Sequence, residues 1–118
     1  MFKGFECEKF EYVCKTQEKN TIALSSAMHF TAQSPQDESL LERAIFVESK
    51  IEDIDNTFKL NFEFRVIYSF EEQKDIKDGQ EMLQAYQEDA YNRVRDFVRN
   101  FLKSINQNEK IFPDISFE

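Results

Sequence analysis

The clearest alternation of apolar and polar residues covers residues 58–70. Apolar side chains occupy every even position of this segment: Phe58, Leu60, Phe62, Phe64, Val66, Tyr68 and Phe70. The odd positions are polar except for Ile67. A period of two over this length is typical of an antiparallel strand with one buried face. The pattern therefore predicts a strand over 58–70 whose Phe-rich face is buried.

Three other segments alternate less strictly and complete a predicted sheet. Residues 40–52 alternate in the same way, and turn-forming residues at 53–57 connect them to the strand over 58–70 in a predicted hairpin. Residues 21–33 and residues 2–14 also alternate. We therefore expect four strands that pair in chain order, as an antiparallel meander.

The strand predicted over 2–14 contains a change of phase. Cys7 is apolar at an odd position, whereas Phe10 and Tyr12 are apolar at even positions. One extra residue in a strand shifts the alternation in this way, and a β-bulge accommodates it. We expect a bulge near residues 8–9.

After Phe70 the spacing of the apolar residues changes from two to three or four. The residues that recur at this spacing are Leu83, Tyr86, Ala90, Val94, Phe97, Phe101 and Ile105. This period predicts an amphipathic helix over about 79–105, in which Asp78 is the N-cap residue of a capping box completed by Glu81. Further apolar residues, among them Tyr91, make the stripe wider than packing on one sheet requires. We therefore expect the helix flank and an edge strand to join a second copy of the chain.

Four strands followed by one long helix predict an α+β fold, in which the helix packs on one face of a four-stranded antiparallel sheet. Residues 111–118 form an extended apolar tail, because Pro113 is incompatible with a helix there. Chain ends are usually polar, so we expect this tail to dock on another part of the protein. The length of the chain, residues 1–118, is that of a single domain.

The charge of the chain excludes several classes of partner. Lys and Arg number 15 and Asp and Glu number 23, which gives a net charge of −8. Nucleic-acid binding requires clustered positive charge, so we expect no nucleic-acid partner. The sequence contains no run of about 20 apolar residues, so we expect no membrane insertion. The N-terminal residues lack the apolar run of a signal peptide, which predicts a cytoplasmic location.

Histidine and cysteine, which commonly perform catalysis or bind metals, are scarce. The single histidine, His29, has no partner in the sequence that would orient it as a general base. Cys7 and Cys14 do not form a CxxC pair. No phosphate-binding loop or hydrolase motif occurs. We therefore expect no catalytic residues, no metal and no cofactor.

The chain contains more large apolar side chains than one sheet face and one helix stripe use, including 13 Phe residues. The surplus positions are Phe46 and Ile67 on the other sheet face, Tyr91, Val98 and Leu102 on the helix, and Phe112 and Phe117 in the tail. Exposed apolar surface of this size indicates a binding site. We predict that these residues bind extended apolar peptide segments, referred to below as clients, with a groove between the helix, the tail and the sheet. The alternative is that the tail fills this groove permanently as part of the core.

Two segments resemble the SecB-like protein-export chaperone family. They are Tyr91-Asn92-Arg93-Val94-Arg95-Asp96-Phe97-Val98, which is similar to that family's helix, and Ile111-Phe112-Pro113-Asp114-Ile115-Ser116-Phe117, which is similar to its P-x-I-x-F ending. Small SecB-related proteins of Gram-positive bacteria and phages look closer still in length and ending. The resemblance implies an ATP-independent chaperone, or holdase, that binds extended apolar segments of unfolded polypeptides and assembles as a dimer or tetramer.

Two other functions are compatible with the sequence. A small α+β adaptor would recognise one folded partner through the same surplus apolar surface. A carrier would hold a small ligand in a pocket between the helix and the sheet.

Overall fold

The structure is a computed structural model and describes residues 1–15, 23–37 and 39–117. Its elements in chain order are β1 (Phe2–Cys14), β2 (Leu24–Gln33), β3 (Glu42–Asp53), β4 (Phe58–Ser69) and α1 (Gly79–Ser104), with short 3-10 turns over Gln73–Asp75 and Glu109–Ile111. Residues 21–22 of the strand expected over 21–33, and residue 118 of the tail, lie outside the described residues. The chain thus has the predicted fold, a four-stranded antiparallel sheet followed by one long helix.

The strand order differs from the expected meander at β1. The order across the sheet is β1-β4-β3-β2, so β2, β3 and β4 follow one another as predicted, but β1 pairs with β4 instead of β2. Aromatic packing favours this pairing: the Phe10 ring stacks on Phe62 at 6.1 Å between centroids, and Tyr12 meets Phe58 edge-on at 5.8 Å. One consequence is that β1 and β2 are the two edges of the sheet.

The bulge expected in β1 is confirmed. The register between β1 and β4 shifts between Cys7 and Lys9. Because of this shift, Phe5 before the bulge and Phe10 after it lie on the same face and both contact Phe64, with ring centroids 5.7 and 6.3 Å away. The extra residue therefore keeps the aromatic side chains of a long edge strand on the side of the core.

Helix α1 packs on the Phe-rich face of β4, as predicted. Val94, Val98 and Leu102 of the helix are at most 1% exposed, as are Phe62 and Phe64 of the strand. Burying a side chain of this size stabilises the fold by about 1.5–3 kcal/mol. This layer of side chains is the hydrophobic core. Within the described ranges, no helix has the length and apolar character needed to cross a membrane.

The first turn of α1 does not form the capping box that the sequence predicts. Asp78 is the N-cap residue, but its side chain makes no capping hydrogen bond to the helix backbone. Its Oδ1 atom instead accepts hydrogen bonds from Arg43 Nε at 2.6 Å and from Ser34 Oγ at 3.3 Å. Arg43 is only 6% exposed, and a buried cation requires a counter-ion. The interaction ties the first turn of the helix to β3 and to the end of β2.

Candidate functional site

Residues 111–117, referred to below as the tail, dock on the helix as the sequence predicts. Phe112 is completely buried. Its ring centroid lies 5.7 Å from that of Phe62 on β4 and 5.8 Å from that of Tyr91 on α1. Phe112 therefore completes the core between the sheet and the helix.

Polar groups of α1 hold the backbone of the tail. Arg99 Nη2 donates hydrogen bonds to the carbonyl oxygen of Phe112 at 2.8 Å and to Asp114 Oδ1 at 2.9 Å. The phenol of Tyr91 donates to the carbonyl oxygen of Pro113. The hydrogen bond and the charge of Arg99 lower the pKa of Asp114, so this carboxylate remains ionised near neutral pH. The start of the tail is thus fixed by its main chain as well as by Phe112.

Four of the residues predicted to bind clients lie in the core. Tyr91, Val98, Leu102 and Phe112 are at most 2% exposed. They do not line an open groove in this structure, because the ring of Phe112 occupies the space that the groove would need. Phe117, at the end of the tail, is only partly buried. The alternative prediction is that the tail fills the groove as part of the core. The beginning of the tail, at Phe112, agrees with it better than the end, at Phe117.

The other two predicted residues, Phe46 and Ile67, lie on the face of the sheet opposite the helix. Phe46 pairs with Arg65 across β3 and β4. Ile67 lines an open cavity of about 300 Å³ in which Arg65 is already ion-paired with Glu6, Nη1 to Oε2 at 3.1 Å. The structure therefore does not bring Phe46 and Ile67 together with the tail residues.

The end of the tail borders a cleft beside β2. The ring of Phe117 lies 5.7 Å from Phe30 of β2 and 5.4 Å from Tyr91, measured between centroids. Next to Phe117 an open cavity of about 240 Å³ follows the first half of α1. Its lining residues are Leu83, Gln84, Gln87, Glu88 and Phe117. The part of this cavity lined by α1, together with Phe30, is referred to as the tail cleft, and Phe117 lies in it.

The edge strand β2 lacks the residues that usually protect a sheet edge from pairing. In the described part of the chain, β2 pairs with β3 alone, and no backbone hydrogen bond joins the tail to β2. The ten residues Leu24–Gln33 include no Lys, Arg, Asp, Glu or Pro. Natural proteins commonly use these residues to protect exposed edges from pairing with another chain. The β2 edge is therefore suited to pairing with an added strand.

Sequence reasoning did not assign a binding role to β2. The meander would have placed β2 between β1 and β3, where its backbone groups would be paired on both sides. The lack of charged residues over 24–33 is a signal that could have identified it, once the strand order was known.

A second apolar surface joins β1 to the flank of α1. Phe5 is 37% exposed and Phe97 is 43% exposed, and their rings meet edge-on at 5.7 Å. Phe10 and Phe101 continue this surface, with ring centroids 4.9 Å apart. These four residues are referred to as the β1 patch. It lies on a helix flank and an edge strand, the elements expected to contact a second subunit.

No protein-family model and no curated protein matches this sequence. Among solved structures, the fold is similar to that of the Mycobacterium tuberculosis Rv1957 SecB-like chaperone in complex with a ChAD peptide from the Rv1956 HigA1 antitoxin. The TM-score is 0.69, and the match covers 98% of this chain and 89% of the Rv1957 chain. This chain has a SecB-like fold. The two sequences are only 11% identical, so the similarity establishes the fold and not the function.

Proposed function

We propose that this protein is a cytoplasmic, ATP-independent chaperone that binds extended apolar segments of unfolded polypeptides at the tail cleft and the β2 edge. The observation that supports this most is the position of an edge strand without Lys, Arg, Asp or Glu, which among the described residues pairs with β3 alone, beside the rings of Phe30 and Phe117. A peptide that adds to such an edge gains main-chain hydrogen bonds, while pockets for alternate side chains provide preference. The SecB-like chaperone with a similar fold, which was solved in complex with a peptide, also supports the proposal.

The proposed mode of binding follows from the two faces of β2. Met28, Phe30 and Ala32 are partly buried on the side of the helix, whereas His29 and Thr31 are exposed on the opposite side. A strand added beside β2 would alternate in the same way, with every second side chain pointing to the tail cleft. Apolar residues at these positions would be buried against Phe30, and the others would stay in water. The net charge of −8 would favour segments that also carry basic residues.

We further propose that the protein is a homo-oligomer, a dimer or tetramer, assembled through the β1 patch. The patch combines exposed aromatic rings with the outer edge of β1, which pairs with β4 alone among the described strands. Phe and Tyr are enriched in the cores of subunit interfaces. The β1 patch and the β2 edge lie on opposite edges of the sheet, so assembly through one leaves the other open to clients.

The experiment that tests the chaperone function is suppression of aggregation. The protein, without ATP, is mixed at stoichiometric ratios with several unrelated proteins diluted from denaturant, and light scattering is followed. Suppression for most of these clients is the expected result. Binding to one folded protein but to no denatured one would instead identify an adaptor. Co-purification of a small ligand without suppression would identify a carrier.

A further inference from the structure

We infer that residues 114–117 of the tail are a displaceable occupant of the client site, so that the protein keeps its own site partly closed until a client replaces them. The inference rests on the proposed function and concerns its regulation. The tail consists of an anchor, residues 111–113, and a plug, residues 114–117. The two parts differ in their interactions with the rest of the protein.

The anchor is part of the core. Phe112 is completely buried between Phe62 and Tyr91. The carbonyl oxygens of Phe112 and Pro113 accept hydrogen bonds from Arg99 and Tyr91. Removing the anchor would open a cavity in the core and leave buried polar groups without partners, which is strongly unfavourable.

The plug is held by much less. Asp114 and Ser116 are exposed, whereas Ile115 and Phe117 are only partly buried. No described backbone hydrogen bond joins the plug to β2. The ion pair of Asp114 with Arg99 involves a carboxylate whose side chain is 70% exposed, so solvent and salt weaken it. When the plug leaves, the protein loses this ion pair, a hydrogen bond from the Ile115 backbone to the Tyr91 phenol, and the side-chain contacts of Ile115 and Phe117.

The plug has the pattern expected of a client. Its exposed and partly buried residues alternate with a period of two, as in an extended peptide with one apolar face. The ring of Phe117 packs against Tyr91 and against Phe30, the β2 ring on the helix side that a strand added at this edge would lie beside. A client and the plug therefore compete for the same rings.

Competition of this kind lowers the apparent affinity for a client in proportion to the fraction of molecules whose plug is displaced. The contacts of one partly buried aromatic ring make the state with the plug in place about 5- to 30-fold more populated than the state with the plug displaced. The anchor stays in place during the exchange, so the plug remains tethered near the cleft and can return when the client leaves.

The inference is tested with the full-length protein and a variant that ends at Pro113. The probe is a fluorescein-labelled peptide of alternating Leu and Lys residues, and its dissociation constant is measured by fluorescence anisotropy. We expect the truncated variant to bind about 5- to 30-fold more tightly. A free peptide with the sequence of residues 111–118 should displace the probe from the truncated variant. Circular dichroism verifies that the variant is folded.

Two point variants of the full-length protein test the plug without the effects of truncation on folding and charge. Phe117→Ala leaves the charge unchanged and should also tighten binding, whereas Ser116→Ala, at an exposed position one residue away, should bind like the parent. Equal or weaker binding by both the truncated variant and Phe117→Ala would overturn the inference and leave the chaperone function intact. Absence of probe binding in every form would overturn the proposed function, and the inference with it.

Discussion

The phenol of Tyr68 on β4 donates a hydrogen bond to Asp89 Oδ2 on α1, at 2.7 Å. Arg93 Nε donates to the same oxygen at 2.8 Å, and its guanidinium lies 3.6 Å from the centroid of the Phe2 ring on β1. A single carboxylate on the helix therefore connects the helix to two strands. The interaction helps to fix the position of α1 on the sheet.

Tyr68→Phe should destabilise the fold by about 1–2 kcal/mol, because it removes a hydrogen bond to a charged group while Asp89 keeps its partner Arg93. The measurement is urea unfolding at neutral pH followed by circular dichroism. Tyr86→Phe, at a partly buried tyrosine on α1, serves as a comparison for the loss of a hydroxyl group. A Tyr68→Phe variant as stable as the parent would contradict a structural role for this hydrogen bond.

The pKa of the Asp89 carboxylate predicts how the stability of the fold depends on pH. Burial alone would raise the pKa of Asp89, but the hydrogen bonds from Tyr68 and Arg93 outweigh it and lower the pKa. The stabilisation is therefore fully present above the unfolded pKa of about 4 and is lost as the pH falls through the lower folded pKa. Unfolding measured from about pH 5 downward should show a smaller acid-dependent loss in Asp89→Asn than in the parent. An identical loss in both proteins would show that Asp89 does not contribute.

Phe62→Ala should reduce the free energy of unfolding by about 3–5 kcal/mol, because its fully buried ring contacts the core on both sides and leaves a cavity when removed. Ile54→Ala is the control, since Ile54 is 93% exposed in the hairpin between β3 and β4 and should change stability by less than about 0.5 kcal/mol. Thermal unfolding distinguishes the two. Tolerance of Phe62→Ala with an unchanged melting temperature would contradict the burial of this face of β4.

Phe30→Ser should weaken client binding about tenfold, because it removes the β2 ring that faces the tail cleft. The neighbouring residue His29 is exposed on the other face of β2, so His29→Ser should bind clients like the parent. Both variants are compared by anisotropy with the labelled peptide and by suppression of aggregation. If the two substitutions had equal effects, the client would not lie on the helix side of β2.

Phe97→Ser should shift the proposed oligomer toward monomers, because Phe97 is a large exposed ring of the β1 patch. Leu40→Ser removes a similarly exposed side chain, 48% exposed and outside the patch, and should leave the assembly unchanged. Light scattering over a dilution series measures the mass of each variant. A parent protein that is monomeric at all concentrations would exclude assembly through the patch.

The elements of the fold could be predicted from the sequence because their signals are local. The even-numbered residues of β4 mark its buried face, and the spacing from Leu83 to Phe101 marks the helix, since the periods of a strand and a helix depend only on backbone geometry. The bulge between Cys7 and Lys9 was predictable for the same reason. A pattern of this kind shows which side of an element is buried.

The tertiary structure decided which elements became neighbours, and with that the position of the candidate site. Alternation in β1 is compatible with pairing to either β2 or β4, and the contacts of Phe10 and Tyr12 with β4 are long-range packing that no local period encodes. That pairing leaves β2 at the edge of the sheet, beside Phe117. Apolar residues recur along the whole tail, and only the space between Phe62 and Tyr91 determines that Phe112 becomes core while Phe117 stays partly exposed.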